Sequence, residues 1–367
     1  MTNPLVELGR LGQSPWLDYI TRDLLTSGRL AHLIRDDGLL GMTSNPTIFE
    51  KAITGSEDYD EEVGRLLGDG HDPAQIFEAI AVADVRSACD IFRNRFDELE
   101  GNDGLVSIEV SPDVANDSTT TRSQAERLWR AVDRPNVMVK IPGTEAGLAA
   151  ISDSLGAGIN INVTLLFSVE RYRQVIDAFM TGLERRVTAG QPIDRLASVA
   201  SFFVSRVDGK VDPLLDKQRA ADPLRGTIAI ANAAIAYQTF EQSLETARWK
   251  KLASKGARPQ RPLWASTSTK DPSYSDIHYV EPLIARQTVN TLPPETMDAY
   301  RDHGRPVVRI HETIAKAPAR LDELSQRGID LDRITHELEV EGVEKFAVSY
   351  RGVLASIEKK AGELQRR

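Results

Sequence analysis

Thiol chemistry is almost absent from this chain. Its single cysteine, Cys89, rules out an intramolecular disulfide and fits a reducing compartment. Cys89 lies in a stretch with helical spacing, where a packed thiol is the expected role. Long hydrophobic runs are missing too. No segment approaches the roughly 18 apolar residues that span a bilayer. The opening MTNPLVELGR has neither the basic nor the apolar region of a signal peptide. A cytoplasmic location is therefore expected, in which the sequons at Asn116 and Asn162 have no role.

An excess of positive charge is also lacking. The 45 lysines and arginines stand against 54 acidic residues, a net charge of −9 with no run of one sign. This argues against a general nucleic-acid or anionic-membrane surface, so an anionic ligand needs a local basic site. The six histidines, at 32, 71, 278, 303, 311 and 336, have no HxH or HExxH spacing, and one cysteine cannot make CxxC. A Walker loop and a GxGxxG following a strand are both absent. No metal and no nucleotide cofactor are expected.

What is present is a regular alternation. Short β-rich segments lie at Pro15 to Ile20, Gly38 to Pro46, Leu105 to Pro112, Val137 to Pro142, Gly158 to Phe167, Leu196 to Val207, Pro262 to Thr267 and Thr288 to Leu292. Helical patterns separate them. Arg22 to Ile34 has near-helical spacing, and Asp72 with Pro73 starts a long helix to about Leu99. Thr120 to Val132 is amphipathic, Thr144 caps a helix to about Leu155, and Ser168 caps the clearest amphipathic stretch, ended by Gly190. Asp208 to Arg261 reads as a helical insertion, its longest helix near Ile228 to Leu252. Pro294 to Arg367 reads as helical. Strands alternating with helices predict a parallel sheet, and eight of them predict a closed (β/α)8 barrel with extra helices. No repeat or linker divides the chain, so residues 1–367 are read as a single barrel domain.

The polar residues follow this arrangement. Asp18, Thr43 to Asn45, Glu109, Lys140, Asn162 and Thr164, Ser201 and Arg206, and Ser268 with Lys270 all fall near the C-terminal end of a predicted strand. In such a barrel those ends converge on one mouth, where active sites are built. Lys140 interrupts the apolar run VMVKIP. It either snorkels to solvent or points inward, where burial disfavours an ammonium and a free amine can attack a carbonyl. Glu109, with Thr164 and a water, can shuttle protons for such an attack, or merely hold geometry as an ion pair. Asp18 can take a hydroxyl proton from another strand, or cap the helix that follows it. Asn45 and Asn162 can bind sugar hydroxyls or satisfy loop backbone. Ser201 and Arg206 can grip a phosphate, although Arg206 alone is also consistent with a surface salt bridge. Lys270 adds a second cation or is an ordinary exposed lysine.

The segments GMTSNPTIFEKAI, VSIEVSP, VMVKIPGTEAG, INVTLLFS, SFFVSRVDGKVD and WASTSTKDPSYSD, in that order, resemble the transaldolase family. The resemblance runs from about residue 15 to 295. It implies a class I Schiff-base aldolase barrel that moves a dihydroxyacetone unit from a ketose phosphate to an aldose phosphate, without metal or organic cofactor, in the pentose phosphate pathway. On that resemblance Lys140 is the Schiff-base lysine, Glu109 and Thr164 the water-positioning pair, and Asp18 the second acid/base. Asn45, Asn162 and Ser201 match donor-binding positions, and Arg206 a phosphate-binding arginine. Some members carry a further arginine after the seventh strand. This sequence has STSTKD there, which leaves Lys270 as the cation. Two other readings stay open: an aldolase of the same fold that releases free dihydroxyacetone, and a non-catalytic sugar-phosphate-binding barrel.

Overall fold

The computed structural model describes residues 3–219 and 222–364. Eight strands run β1 (Gln13–Asp18), β2 (Gly41–Thr43), β3 (Leu105–Glu109), β4 (Val137–Pro142), β5 (Ile161–Leu166), β6 (Ser198–Phe203), β7 (Arg261–Ala265) and β8 (Thr288–Leu292). Each pairs in parallel with the next, and β8 returns to β1, so the sheet closes into the expected (β/α)8 barrel. Side chains alternate along each strand. Val106, Val139, Ile141, Val163 and Phe202 point outward into the core under the helices. Leu105, Met138, Val199, Leu263 and Val289 pack with Trp16 in a separate inner cluster that fills the barrel. Gly41 makes this filling possible: a Cβ there would lie 2.4 Å from the Trp16 ring.

The helices are α1 (Pro4–Arg10), α2 (Arg22–Thr26), α3 (Arg29–Asp36), α4 (Pro46–Thr54), α5 (Asp60–Gly68), α6 (Pro73–Glu98), α7 (Ser118–Val132), α8 (Glu145–Gly156) and α9 (Val169–Thr188). They continue with α10 (Ser205–Gln218), α11 (Ile228–Leu244), α12 (Ala247–Ala253), α13 (Pro294–His303), α14 (Ile310–Gln326) and α15 (Leu331–Leu364). The expected caps form. Asp72 makes a capping box with Gln75, and Thr144 and Ser168 accept from Gly147 N and Arg171 N.

Four expectations need adjustment. The near-helical spacing over Arg22 to Ile34 spans two helices, α2 and α3, broken at Gly28, whose φ of 81° is left-handed. The stretch from 208 to 261 is helical as expected, but it contains a regular part of the barrel as well as extra helices. Its α11 is the crossover helix between β6 and β7, packed against β7 and α9 on one side and α14 on another. It reads as a featureless alanine-rich run because it is buried nearly all round, which erases the amphipathic signal. The helix proposed to reach Leu252 stops at Leu244, and Thr246 caps α12 by accepting from Trp249 N. Finally, β6 ends at Phe203, so Ser205 and Arg206 belong to the first turn of α10 rather than to a strand end.

The C-terminal helix α15 is 34 residues long and lies across the C-terminal end of the barrel, against α4, α5, α6, α10 and β5. No helix among the described residues is long and apolar enough to cross a membrane.

Candidate active site

The strand register brings the polar side chains together. Glu109 on β3 pairs with Lys140 on β4, which pairs with Asn162 on β5, and Asp18 on β1 pairs with Thr43 on β2. All are inward positions: Asp18, Thr43, Glu109 and Lys140 lie at or near the C-terminal ends of their strands and face one another around the mouth, while Asn162, near the start of β5, lies one layer below. Asp18, Thr43, Asn45, Glu109, Lys140, Thr164, Ser201, Arg206, Ser268 and Lys270 line a cavity of about 480 Å³ there.

Lys140 points inward and its side chain is only 9% exposed. Its Nζ donates to the Ser44 carbonyl at 3.1 Å and lies 3.2 Å from Glu109 Oε2. That second approach is an ion-pair contact off the hydrogen-bonding direction, so Oε2 is buried with no donor among the described residues. Burial pushes the Glu109 carboxyl up to about 7, against the pull of Lys140. Burial also raises Asp18 above the usual carboxylate range, opposed by Lys140 and by the hydrogen bond from Thr43. Asp18 does not cap α2; Thr21 does, accepting from Leu24 N. Instead Thr43 Oγ1 donates to Asp18 Oδ1 at 2.8 Å and meets Thr291 Oγ1 at 2.7 Å, a chain of hydroxyls that holds the carboxylate in orientation.

The amides divide their labour. Asn162 does not line the cavity. It is fully buried beneath it, donating to Ser107 Oγ at 3.0 Å and accepting from Ser201 Oγ at 2.7 Å. Asn45 does line the cavity, yet its Oδ1 caps α4 by accepting from Ile48 N, which commits one lone pair and leaves Nδ2 as its free donor. Around Thr164 the pairing of β5 with β6 is irregular, and Leu165 takes a left-handed φ of 61°. Val163 and Leu166 both pack around Gly143, while Thr164 and Leu165 both face the mouth. A strained, bulged residue at a barrel rim is a device for re-aiming a side chain. Here it brings a second consecutive residue into the cavity.

Arg206 stacks over the Phe203 ring at 5.0 Å and has no ion pair among the described residues, so its guanidinium is uncommitted. Its helix is anchored from behind by Asp208, which accepts from Ala229 N at 2.7 Å and from Tyr279 OH at 3.1 Å. Ser268 is buried and Lys270 exposed, both on the loop after β7.

Sequence reasoning missed Thr291, Lys51 and the α15 residues Lys345, Phe346 and Ser349, all of which line the cavity. Thr291 had a signal, the alternation of TVNTL. The α15 residues had none, because nothing local says which end of the barrel a terminal helix will cross. The crossing is close. A Cβ on Gly342 would stand 3.3 Å from Leu165 Cδ2 and 3.4 Å from Phe167 Cε2.

Residues 15–357 match the family model described as transaldolase/fructose-6-phosphate aldolase. The chain belongs to that family. It is 52% identical over 361 residues to the transaldolase of Acidothermus cellulolyticus, covering 97% of this chain and 96% of that one. The Frankia alni transaldolase is 48% identical over 367 residues, with 99% and 98% covered. The transaldolase of Mycobacterium tuberculosis is 46% identical over 359 residues, with 96% of each covered. The family match continues past the eighth strand and takes in α15 as far as residue 357.

Proposed function

We propose that the mouth carries out transaldolase chemistry through a Schiff base on Lys140. The observation that carries this reading is a buried amine 3.2 Å from a buried carboxylate, Glu109, in the same cavity as a second carboxylate, Asp18. Binding alone has no need of an amine held among two acids.

In this reading the Lys140 amine adds to the C2 ketone of fructose 6-phosphate or sedoheptulose 7-phosphate. The carbinolamine loses water to give an iminium, with Glu109 and Thr164 passing the protons. A carboxyl poised near 7 can both give and take a proton at neutral pH. Asp18 accepts the C4 hydroxyl proton as the C3–C4 bond breaks, the iminium takes up the electron pair as an enamine, and the aldose phosphate leaves. An acceptor aldehyde, erythrose 4-phosphate or glyceraldehyde 3-phosphate, then joins the enamine carbon while Asp18 returns the proton. Hydrolysis of the new iminium frees the product and Lys140. Asn45 and Ser201 bind sugar hydroxyls, with Asn162 orienting Ser201, and Arg206 with Ser268 and Lys270 holds the phosphate. No metal or organic cofactor enters these steps. The reaction belongs to the non-oxidative pentose phosphate pathway, and a reducing cytoplasm suits the single buried Cys89.

Borohydride treatment with fructose 6-phosphate attaches a three-carbon adduct to Lys140, read by peptide mass. Activity retained in Lys140→Ala sinks the mechanism. The alternative, an aldolase that releases free dihydroxyacetone, is favoured instead if dihydroxyacetone accumulates stoichiometrically with no acceptor present.

A further inference from the structure

At the end of the barrel opposite Lys140, a cavity of about 600 Å³ opens among the N-terminal ends of the strands. Five arginines line it, Arg10, Arg95, Arg258, Arg261 and Arg286, against one carboxylate, Asp103. Asp103 is already fully engaged. It accepts from Ser14 Oγ at 2.7 Å, from Trp16 Nε1 at 2.9 Å, and from both terminal nitrogens of Arg261 at 3.1 and 2.9 Å. Arg10 pairs with Glu7 and Arg95 with Glu98. Arg258 and Arg286 have no ion pair among the described residues.

Two guanidinium nitrogens stand out. Arg258 Nη1 and Arg95 Nε are buried with no acceptor among the described residues. A cation placed only to stabilise the fold would be paired, as Arg261 is with Asp103, because a buried charged donor left without an acceptor forfeits its hydration. Unpaired forks around an open cavity are instead the arrangement that recognises phosphoryl oxygens, two at a time. The volume exceeds what one phosphate needs and lies in the range of small-molecule sites. Two lining arginines without an ion pair, Arg258 and Arg286, offer one guanidinium to each of two adjacent phosphoryl groups.

We propose that this cavity is a second anion site, separate from the mouth, that binds a small polyanion with adjacent phosphoryl groups. The site stands independently of the chemistry assigned to Lys140. Inorganic pyrophosphate and the triphosphate of a nucleotide share this chemistry, and the apolar walls Leu40, Leu99 and Val308 leave space for a nucleoside.

Calorimetric titration of the full chain with pyrophosphate and, separately, with ATP tests it. Saturable binding with Kd below about 1 mM is expected for at least one of them, weakening as salt rises. Binding by pyrophosphate alone identifies an inorganic ligand, and at least tenfold tighter binding of ATP identifies a nucleotide. Arg258→Gln with Arg286→Gln should weaken binding at least tenfold, while Arg206→Gln at the mouth leaves it unchanged. If the double variant does not fold, Arg286→Gln alone, at an exposed position, should weaken binding at least threefold. No saturable binding of either anion overturns the proposal. So does an affinity that survives the Arg286 change, or one that is lost with Arg206→Gln.

Discussion

Replacing Glu109 by glutamine keeps the shape of the side chain and removes its proton chemistry, so the consequences can be worked out in both stability and rate. The folded-state carboxyl ionises near 7 against an ordinary value of 4.5, because burial penalises its charge. The native protein therefore keeps a proton that the unfolded chain has released. Its contribution to stability is complete below about pH 4.5, declines above that, and is lost as pH rises through about 7. The gap corresponds to roughly 3 kcal/mol. Urea denaturation from pH 4.5 to 8.5 should show the wild type losing about that much more stability than Glu109→Gln across the range. The difference in slope carries the test, since removing one partner of a buried pair has a cost of its own. In parallel, single-turnover borohydride trapping should find imine formation slowed by about 10²–10⁴. The ionisation near 7 should also vanish from the pH dependence of kcat/KM. Parallel stability curves together with unaltered trapping rates would refute both the environment and the role assigned to Glu109.

Asp18→Ala should form the imine at close to the normal rate yet cleave the C3–C4 bond about 10²-fold or more slowly, so that trapped six-carbon adduct accumulates; loss of imine formation alone would reassign the residue. Arg206→Gln should raise KM for fructose 6-phosphate at least tenfold while barely changing turnover of unphosphorylated fructose, and equal losses on both substrates would argue against a phosphate contact. Gly342→Leu should drive α15 away from Leu165 and Phe167, at a cost of about 1–3 kcal/mol in thermal denaturation and with faster proteolysis of the C-terminal segment. A variant as stable and resistant as wild type would mean the close approach carries no constraint.

Much of the fold was legible because its signals are local. A period of two marks the strands, three to four marks most helices, and side-chain caps mark their starts at Asp72, Thr144 and Ser168. The failures have one cause each. Arg22 to Ile34 keeps helical spacing through Gly28, so the break depends on a backbone dihedral that spacing does not encode. α11 lost its periodicity to burial on several sides, so its place as the crossover could not be told from the extra helices beside it. At the mouth, residue identity was readable but allegiance was not: Asn45 turned out to spend its oxygen on a helix cap, and Asn162 to sit beneath the cavity, its oxygen taken by Ser201. Both outcomes depend on which neighbour lies within 3 Å.

By itself the sequence determined the barrel, through eight apolar strands that need helices on their outer face. It also determined the chemical types at their C-terminal ends, since alternation of side chains sends every second residue inward. The tertiary structure decided what those residues meet. Lys140 is buried beside Glu109 because strand register pairs the two, and Thr164 shares the rim with Leu165 because a bulge breaks the alternation. α15 covers the mouth because it packs onto α4, α6 and β5, with Gly342 close against Leu165 and Phe167. The arginines that gather at the far end come from α1, α6 and the segments entering β7 and β8, too distant in the chain for any local pattern to unite. Local periodicity is written in neighbouring residues, whereas the charges and distances of a site arise only when distant segments close on one another.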